Sequence, residues 1–275
     1  MPKIIIEGRS MYYVDRGHGT PVVLLHSYCA NALMWKPQIL ALEQYFRVIA
    51  PDLWGHGFSE ELPRGAHDLS TLMQHVLMLL DTLAIEKCVL VGQSIGGMLA
   101  GELALTYPQR VSALALINTY LGSESDETRA LFLALLGHIE KHPAMSPMLI
   151  EIMTAIFFSS VDQGKAAKLR SAFRKYISTI AVKSVSESLL PIGRMIFNRR
   201  NLRERLGEFD AKSTVVICGE HDIVRPPSES KEMAALIGCP YLEVPGAGHM
   251  SNLESPEFIT DALLELANKA SKQPG

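Results

Sequence analysis

The chain of 275 residues is poor in cysteine, with only Cys29, Cys88, Cys218 and Cys239 and no CxxC pair. No metal-like or disulfide-like spacing is present, and Cys88 and Cys218 sit in apolar runs, so buried free thiols are expected. No run approaches the ~18 apolar residues of a membrane-spanning helix. The start, MPKIIIEGRSMYYVDRG, has an apolar run of only three residues and lacks the core of a signal peptide. A soluble protein of a reducing cytoplasm is the expectation. Positive charge is not in surplus: 26 Lys and Arg stand against 29 Asp and Glu, a net charge of −3. That argues against a nucleic-acid binder driven by phosphate neutralisation. Internal repeats and low-complexity tracts are missing too. What remains is ordinary globular composition, 48% hydrophobic and 20% charged. The length suits one or two domains with a full core.

Short apolar runs alternate with helical patterns, which implies βαβ units and a mostly parallel sheet. Residues 3–6 and 10–15 read as a hairpin around Glu7 and Gly8. Runs 21–25, 47–50, 87–91, 111–117, 213–218 and 240–244 read as strands covered on both faces. Helices are expected over 35–44, 69–83, 96–107, 227–237 and 256–270. The last is preceded by Ser255, read as its cap, and starts with Pro256. From 121 to 206 no strand is legible, and 128–142 and 147–158 have helical spacing. A helical cap, inserted between two strands, is expected there. The core would then comprise 1–120 and 207–275.

The strongest chemical signal is Gly92-Gln93-Ser94-Ile95-Gly96, a G-x-S-x-G between a strand and a helix. Such a turn lifts Ser94 out of the sheet, and small residues at 92 and 96 avoid collision across it. The following helix points its free N–H groups at the same spot. Serine needs a base, and His249 lies in the glycine loop Val244–Met250 after the last strand. Asp222, beyond the strand at 213–218, suits the acid that orients the imidazole. Asp210 and Asp126 compete for that role, but Asp210 precedes its strand and Asp126 lies at the start of the cap. His138 and His142 fall four apart on a helix, but Ile139 stands where a zinc protease has glutamate. No metal and no cofactor is therefore expected.

These residues, with VVLLHSYCANALMW, VIAPDLWGHGFSE and GEHDIVRPP, resemble the α/β-hydrolase superfamily and its cap-bearing esterase and lactonase branch. The details are similar to 3-oxoadipate enol-lactonases and pimeloyl-carrier-protein methyl esterases. The resemblance implies an α/β-hydrolase fold and a Ser94–Asp222–His249 triad acting through an acyl-enzyme. It implies an oxyanion hole from the backbone N–H groups of Ile95 and Tyr28, although Ser27 stands where the family has glycine. Asp52 and the glycines after it would fix a turn beneath the site. Phe157, Met250 and Arg194 are expected to contact substrate. Other chemistries of the same triad are C–C bond hydrolysis and perhydrolysis, and a non-enzymatic reading is a ligand receptor.

The cap carries a charge asymmetry. Between Val161 and Arg205 eleven basic residues stand against three acids, a surplus of eight in an otherwise acidic chain. The expectation is attraction of an anion. Arg194 would meet the carboxylate of a small ester or lactone, or Arg170, Arg174 and Lys175 would meet an acidic acyl carrier protein.

Overall fold

Glu7 and Gly8 both adopt positive φ, +48° and +77°, as a tight hairpin turn requires. They join β1 (Lys3–Ile6) to β2 (Arg9–Arg16), antiparallel partners. The computed structural model describes residues 1–160 and 163–272, with the side chains of 163–165 left aside. Six further strands follow: β3 (Pro21–Leu25), β4 (Arg47–Pro51), β5 (Cys88–Gln93), β6 (Val111–Ile117), β7 (Thr214–Gly219) and β8 (Tyr241–Val244). They form one sheet in the order β1-β2-β4-β3-β5-β6-β7-β8. β2 pairs antiparallel with β4, and from β4 onward every pair is parallel.

Alternation along the strands feeds two cores. Val22, Leu24, Val89 and Val91 face one side, with α1 (Lys36–Leu42) and α11 (Pro256–Ser271). Val23, Leu25, Leu90 and Leu114 face the other, with α2 (Leu69–Thr82), α3 (Ile95–Thr106) and α9 (Pro227–Ile237). Helix α3 is buried from Ile95 through Leu105, because α2 covers the side that the sheet does not. Ser255 departs from the reading above: it precedes α11 but makes no side-chain cap bond. A short helix α10 (Ser251–Glu254) instead runs directly into it.

Between β6 and β7 the described residues form only helices: α4 (Asp126–Lys141), α5 (Pro147–Phe157), α6 (Gln163–Ile177), α7 (Val182–Ser184) and α8 (Leu190–Phe197). Short 3₁₀ turns aside, this is the helical insertion expected from the sequence. A π turn, Val185–Leu189, links α7 to α8, with the Leu190 N–H reaching back to the Val185 carbonyl. Pro191 explains it, since proline in a continuing helix lacks the N–H and crowds the carbonyl four residues back. No helix among the described residues is long and apolar enough to cross a membrane.

Candidate active site

The site gathers at the C-terminal ends of β3, β5, β6, β7 and β8, where ligands of open α/β sheets bind. Ser94 directly follows β5, with φ +57° and ψ −120°, a conformation costly for a side-chain-bearing residue. Neighbours hold it there. Its N–H donates to the Ile117 carbonyl at 3.0 Å, and the Thr119 hydroxyl donates to its carbonyl at 2.7 Å. The glycines on either side are obligatory: a Cβ on Gly92 would lie 2.1 Å from the Gly96 carbonyl oxygen, and one on Gly96 2.2 Å from that of Leu25.

His249 follows β8 on the glycine loop. Glu254 clasps that loop, accepting from the Gly248 N–H and from the Ser159 N–H of the insertion, both at 2.8 Å. His249 Nδ1 lies 2.9 Å from Asp222 Oδ2, and both side chains are completely buried. Among the described residues His249 Nε2 has no hydrogen-bond partner. Asp222 also accepts from Asn118 Nδ2 at 2.8 Å and, through Oδ1, from the Val224 and Arg225 N–H groups, both at 2.9 Å. With two backbone donors and an amide on it, this carboxylate cannot turn away. The competing acids are elsewhere: Asp126 is exposed and paired with Arg129, and Asp210 binds Ser213 and Lys212.

The loop after β3 closes the other side. Ser27 has no positive φ, so serine in place of glycine costs no left-handed strain; Cys29 carries it instead, at φ +54°. Two buried histidines brace this loop. His26 Nε2 accepts from the Leu53 N–H at 2.8 Å, and His56 Nε2 accepts from the Cys29 N–H at 3.1 Å. Both must be neutral to accept, and burial lowers His26 to about 4 and His56 to about 3. In the adjoining turn Asp52 accepts from the Ala32 and Phe58 N–H groups at 2.8 and 2.9 Å. Backbone donors around the loop are engaged at Ser27, Cys29 and Ala30, and among the described residues none of these bonds uses the Tyr28 N–H. The Ile95 N–H opens α3 and has no partner within the helix.

Ser94, His249, Tyr28 and Phe157 line one cavity of about 120 Å³, together with apolar side chains from the insertion. Leu136, Leu149, Met153 and Leu189 are among them, and Arg225 is its one charged residue. The Phe157 ring stands 5.3 Å from that of His249.

Two expectations are corrected. Arg194 does not reach this cavity. It pairs with Glu140 at 2.7 Å and lines a separate space of about 480 Å³. One residue earlier, Gly193 faces Leu136 and Tyr28, so the α8 face carrying position 194 points elsewhere. Met250 is buried against Gln93, with its N–H on the Phe157 carbonyl, and does not line the cavity. The basic surplus is largely spent on acids elsewhere in the fold: Arg174 on Glu151, Arg199 on Glu124, Arg200 on Glu102, Arg203 on Glu232 and Lys183 on Glu61. Arg170 donates to the Ser159 carbonyl. Asp162 and Lys165, two of the charges in that count, lie outside the described side chains.

Sequence reasoning missed Asn118, Gln93 and Arg225. Asn118 holds Asp222, and Gln93 Nε2 donates to the His249 carbonyl at 2.6 Å. The available signal was a polar residue at the C-terminal end of a largely apolar strand, as Gln93 closes β5 and Asn118 directly follows β6. Arg225 shares Glu124 with Arg199, joining the insertion to the loop that carries Asp222.

The fold defines a class of protein, and comparison with known proteins agrees. Residues 20–256 match the alpha/beta hydrolase fold family, and the chain belongs to it. It is similar to a thermophilic esterase from Thermogutta terrifontis, 26% identical with a TM-score of 0.86 over 96% of this chain and 95% of that one. The enol-lactonase from Burkholderia xenovorans LB400 is 25% identical, with a TM-score of 0.84 over 97% of this chain and all of that one. A pimeloyl-[acyl-carrier protein] methyl ester esterase of Aliivibrio salmonicida is 38% identical over 105 residues, 38% of either protein. The chain is a hydrolase with esterase- and lactonase-like relatives.

Proposed function

We propose that this hydrolase cleaves carboxylic esters or lactones of small molecules through Ser94, His249 and Asp222. The observation that carries the reading is a strained serine sharing one cavity with a histidine whose Nδ1 is held by a carboxylate and whose Nε2 is free. In that tautomer Nε2 takes the proton of Ser94 as its oxygen attacks the acyl carbon. The Ile95 and Tyr28 amides receive the oxyanion. His249 then protonates the leaving alcohol and later draws a proton from the water that clears the acyl-enzyme. Residues 121–206 act as a cap, supplying apolar walls.

Those walls support an uncharged, apolar acyl group. Arg225 is already occupied by Glu124 and Glu229, and Arg194 lies outside the cavity. The pairing of Arg174 with Glu151 likewise favours a free small substrate over a carrier-bound one. The test is kcat/KM across p-nitrophenyl esters of increasing chain length, several lactones and esters bearing a carboxylate, with Ser94→Ala as control. Neutral apolar esters should be preferred and Ser94→Ala should be inactive, with fluorophosphonate labelling lost. Preference for the anionic esters would overturn the substrate assignment, and undiminished labelling of Ser94→Ala would overturn the nucleophile.

A further inference from the structure

Two tyrosine hydroxyls cross between the loop after β3 and the helical insertion, in opposite directions. Tyr28, from the loop, donates to the Leu189 carbonyl at 2.6 Å. Tyr176, from α6, donates to the Ala30 carbonyl at 3.0 Å and receives the Gly57 N–H at 3.5 Å. The first bond starts from Tyr28 itself and the second ends two residues beyond it, at Ala30, and between them sits Cys29 with its left-handed backbone. Such a conformation persists only where its surroundings over-determine it. The Cys29 N–H is tied to His56, but that bond comes from the core and is indifferent to the insertion. The two hydroxyl bonds are not.

The insertion's side of the contact is equally specific. Leu189 closes the π turn and also lines the cavity. Gly193, one turn on, lets α8 approach: a Cβ there would lie 3.2 Å from the Tyr28 hydroxyl. Burial raises the Tyr28 hydroxyl well above its ordinary range and Tyr176 to about 12, so both remain donors at working pH.

We propose that Tyr28 and Tyr176 are positioning residues that couple seating of the insertion over substrate to the shape of the loop whose Tyr28 amide receives the oxyanion. Covering the acyl group and completing the oxyanion hole are then one event, and an open insertion leaves the hole ill-formed. This rests on the hydrolytic reading above.

The experiment compares wild type, Tyr28→Phe, Tyr176→Phe and the double variant. Phenylalanine keeps each buried ring and removes only the hydroxyl. Loss of the Tyr28 bond should lower kcat for p-nitrophenyl butyrate about tenfold, the scale of one such bond, with KM changed less than about twofold. Fluorophosphonate labelling should slow in parallel and reach the same final stoichiometry. Tyr176→Phe should act in the same direction and less strongly. The double variant should lose less than the product of the single losses, because both bonds hold one loop. Single variants that melt earlier but keep wild-type kcat and labelling rate would show a purely structural role and overturn the coupling. A wild-type protein that does not label at Ser94 at all would remove the hydrolytic reading, and the coupling with it.

Discussion

Replacing Asp222 by asparagine changes one atom, and the surroundings dictate which way the amide must face. Oδ1 accepts from two backbone N–H groups, those of Val224 and Arg225, both at 2.9 Å. The amide oxygen has to stay there, because turning the NH₂ toward two fixed donors would strand both. The NH₂ therefore replaces Oδ2, facing His249 Nδ1 at 2.9 Å and Asn118 Nδ2 at 2.8 Å. Two consequences follow. His249 is driven to the tautomer with Nδ1 as acceptor, so its proton moves to Nε2 and the base facing the cavity is lost. Reversal of this kind costs about 10⁴ in kcat in the serine proteases where it defines the role of the acid. Asn118 meanwhile meets a donor where it had an acceptor, a buried conflict of about 1–3 kcal/mol. The expected outcome for Asp222→Asn is a folded protein with a lowered melting temperature and kcat reduced by about 10³–10⁴. Steady-state hydrolysis of p-nitrophenyl butyrate and a thermal melt read the two effects separately. Asp126→Asn and Asp210→Asn, remote from His249, should behave as wild type. An Asp222→Asn protein retaining a tenth or more of wild-type kcat would refute the tautomer argument.

Two other consequences are open to measurement. Gly96→Ala places a Cβ 2.2 Å from the Leu25 carbonyl oxygen, a backbone atom that cannot yield. It should cost about 1–3 kcal/mol of stability and most of the activity, whereas Gly137→Ala, with nothing within 4 Å on α4, should gain up to about 1 kcal/mol. Equal melting temperatures for the two variants would contradict the packing account of the elbow. His26 and His56 are depressed to about 4 and about 3, so between those values and the ordinary 6.5 the unfolded chain binds the more protons. Their contribution, about 3 kcal/mol for His26, is complete above pH ~6.5 and lost as pH falls through the folded values. His56→Gln keeps an acceptor for the Cys29 amide and should flatten the fall in denaturation free energy over this window. Identical slopes in variant and wild type would clear His56 of that role.

The elbow could be read from the chain because its determinants are local. Ser94 needs small residues two positions before and after it, and each collision they avoid involves backbone that the strand–turn–helix pattern already places. Asp222 and His249 were legible for a related reason: each follows a strand whose C-terminal end topology assigns to one edge of the sheet. Arg194 was not legible. A π turn inserts one residue into a helix, turning every later side chain by about 100°. Its presence before Pro191 could not be counted from helical spacing alone. The pairing of the basic surplus was not legible for another reason. Its partners, Glu140, Glu124, Glu102 and Glu61, lie far away in sequence and outside the stretch where the charges were counted. Glu124 is the sharpest instance. It stands between two serines in a stretch with no pattern, yet it joins Arg199 of the insertion to Arg225 of the Asp222 loop. A carboxylate shared between two buried guanidinium groups cannot be swapped for a neutral side chain without leaving both uncompensated. The residue that fastens the insertion beside Asp222 is thus as constrained as Asp222 itself, but its constraint is tertiary, and only the folded chain displays it.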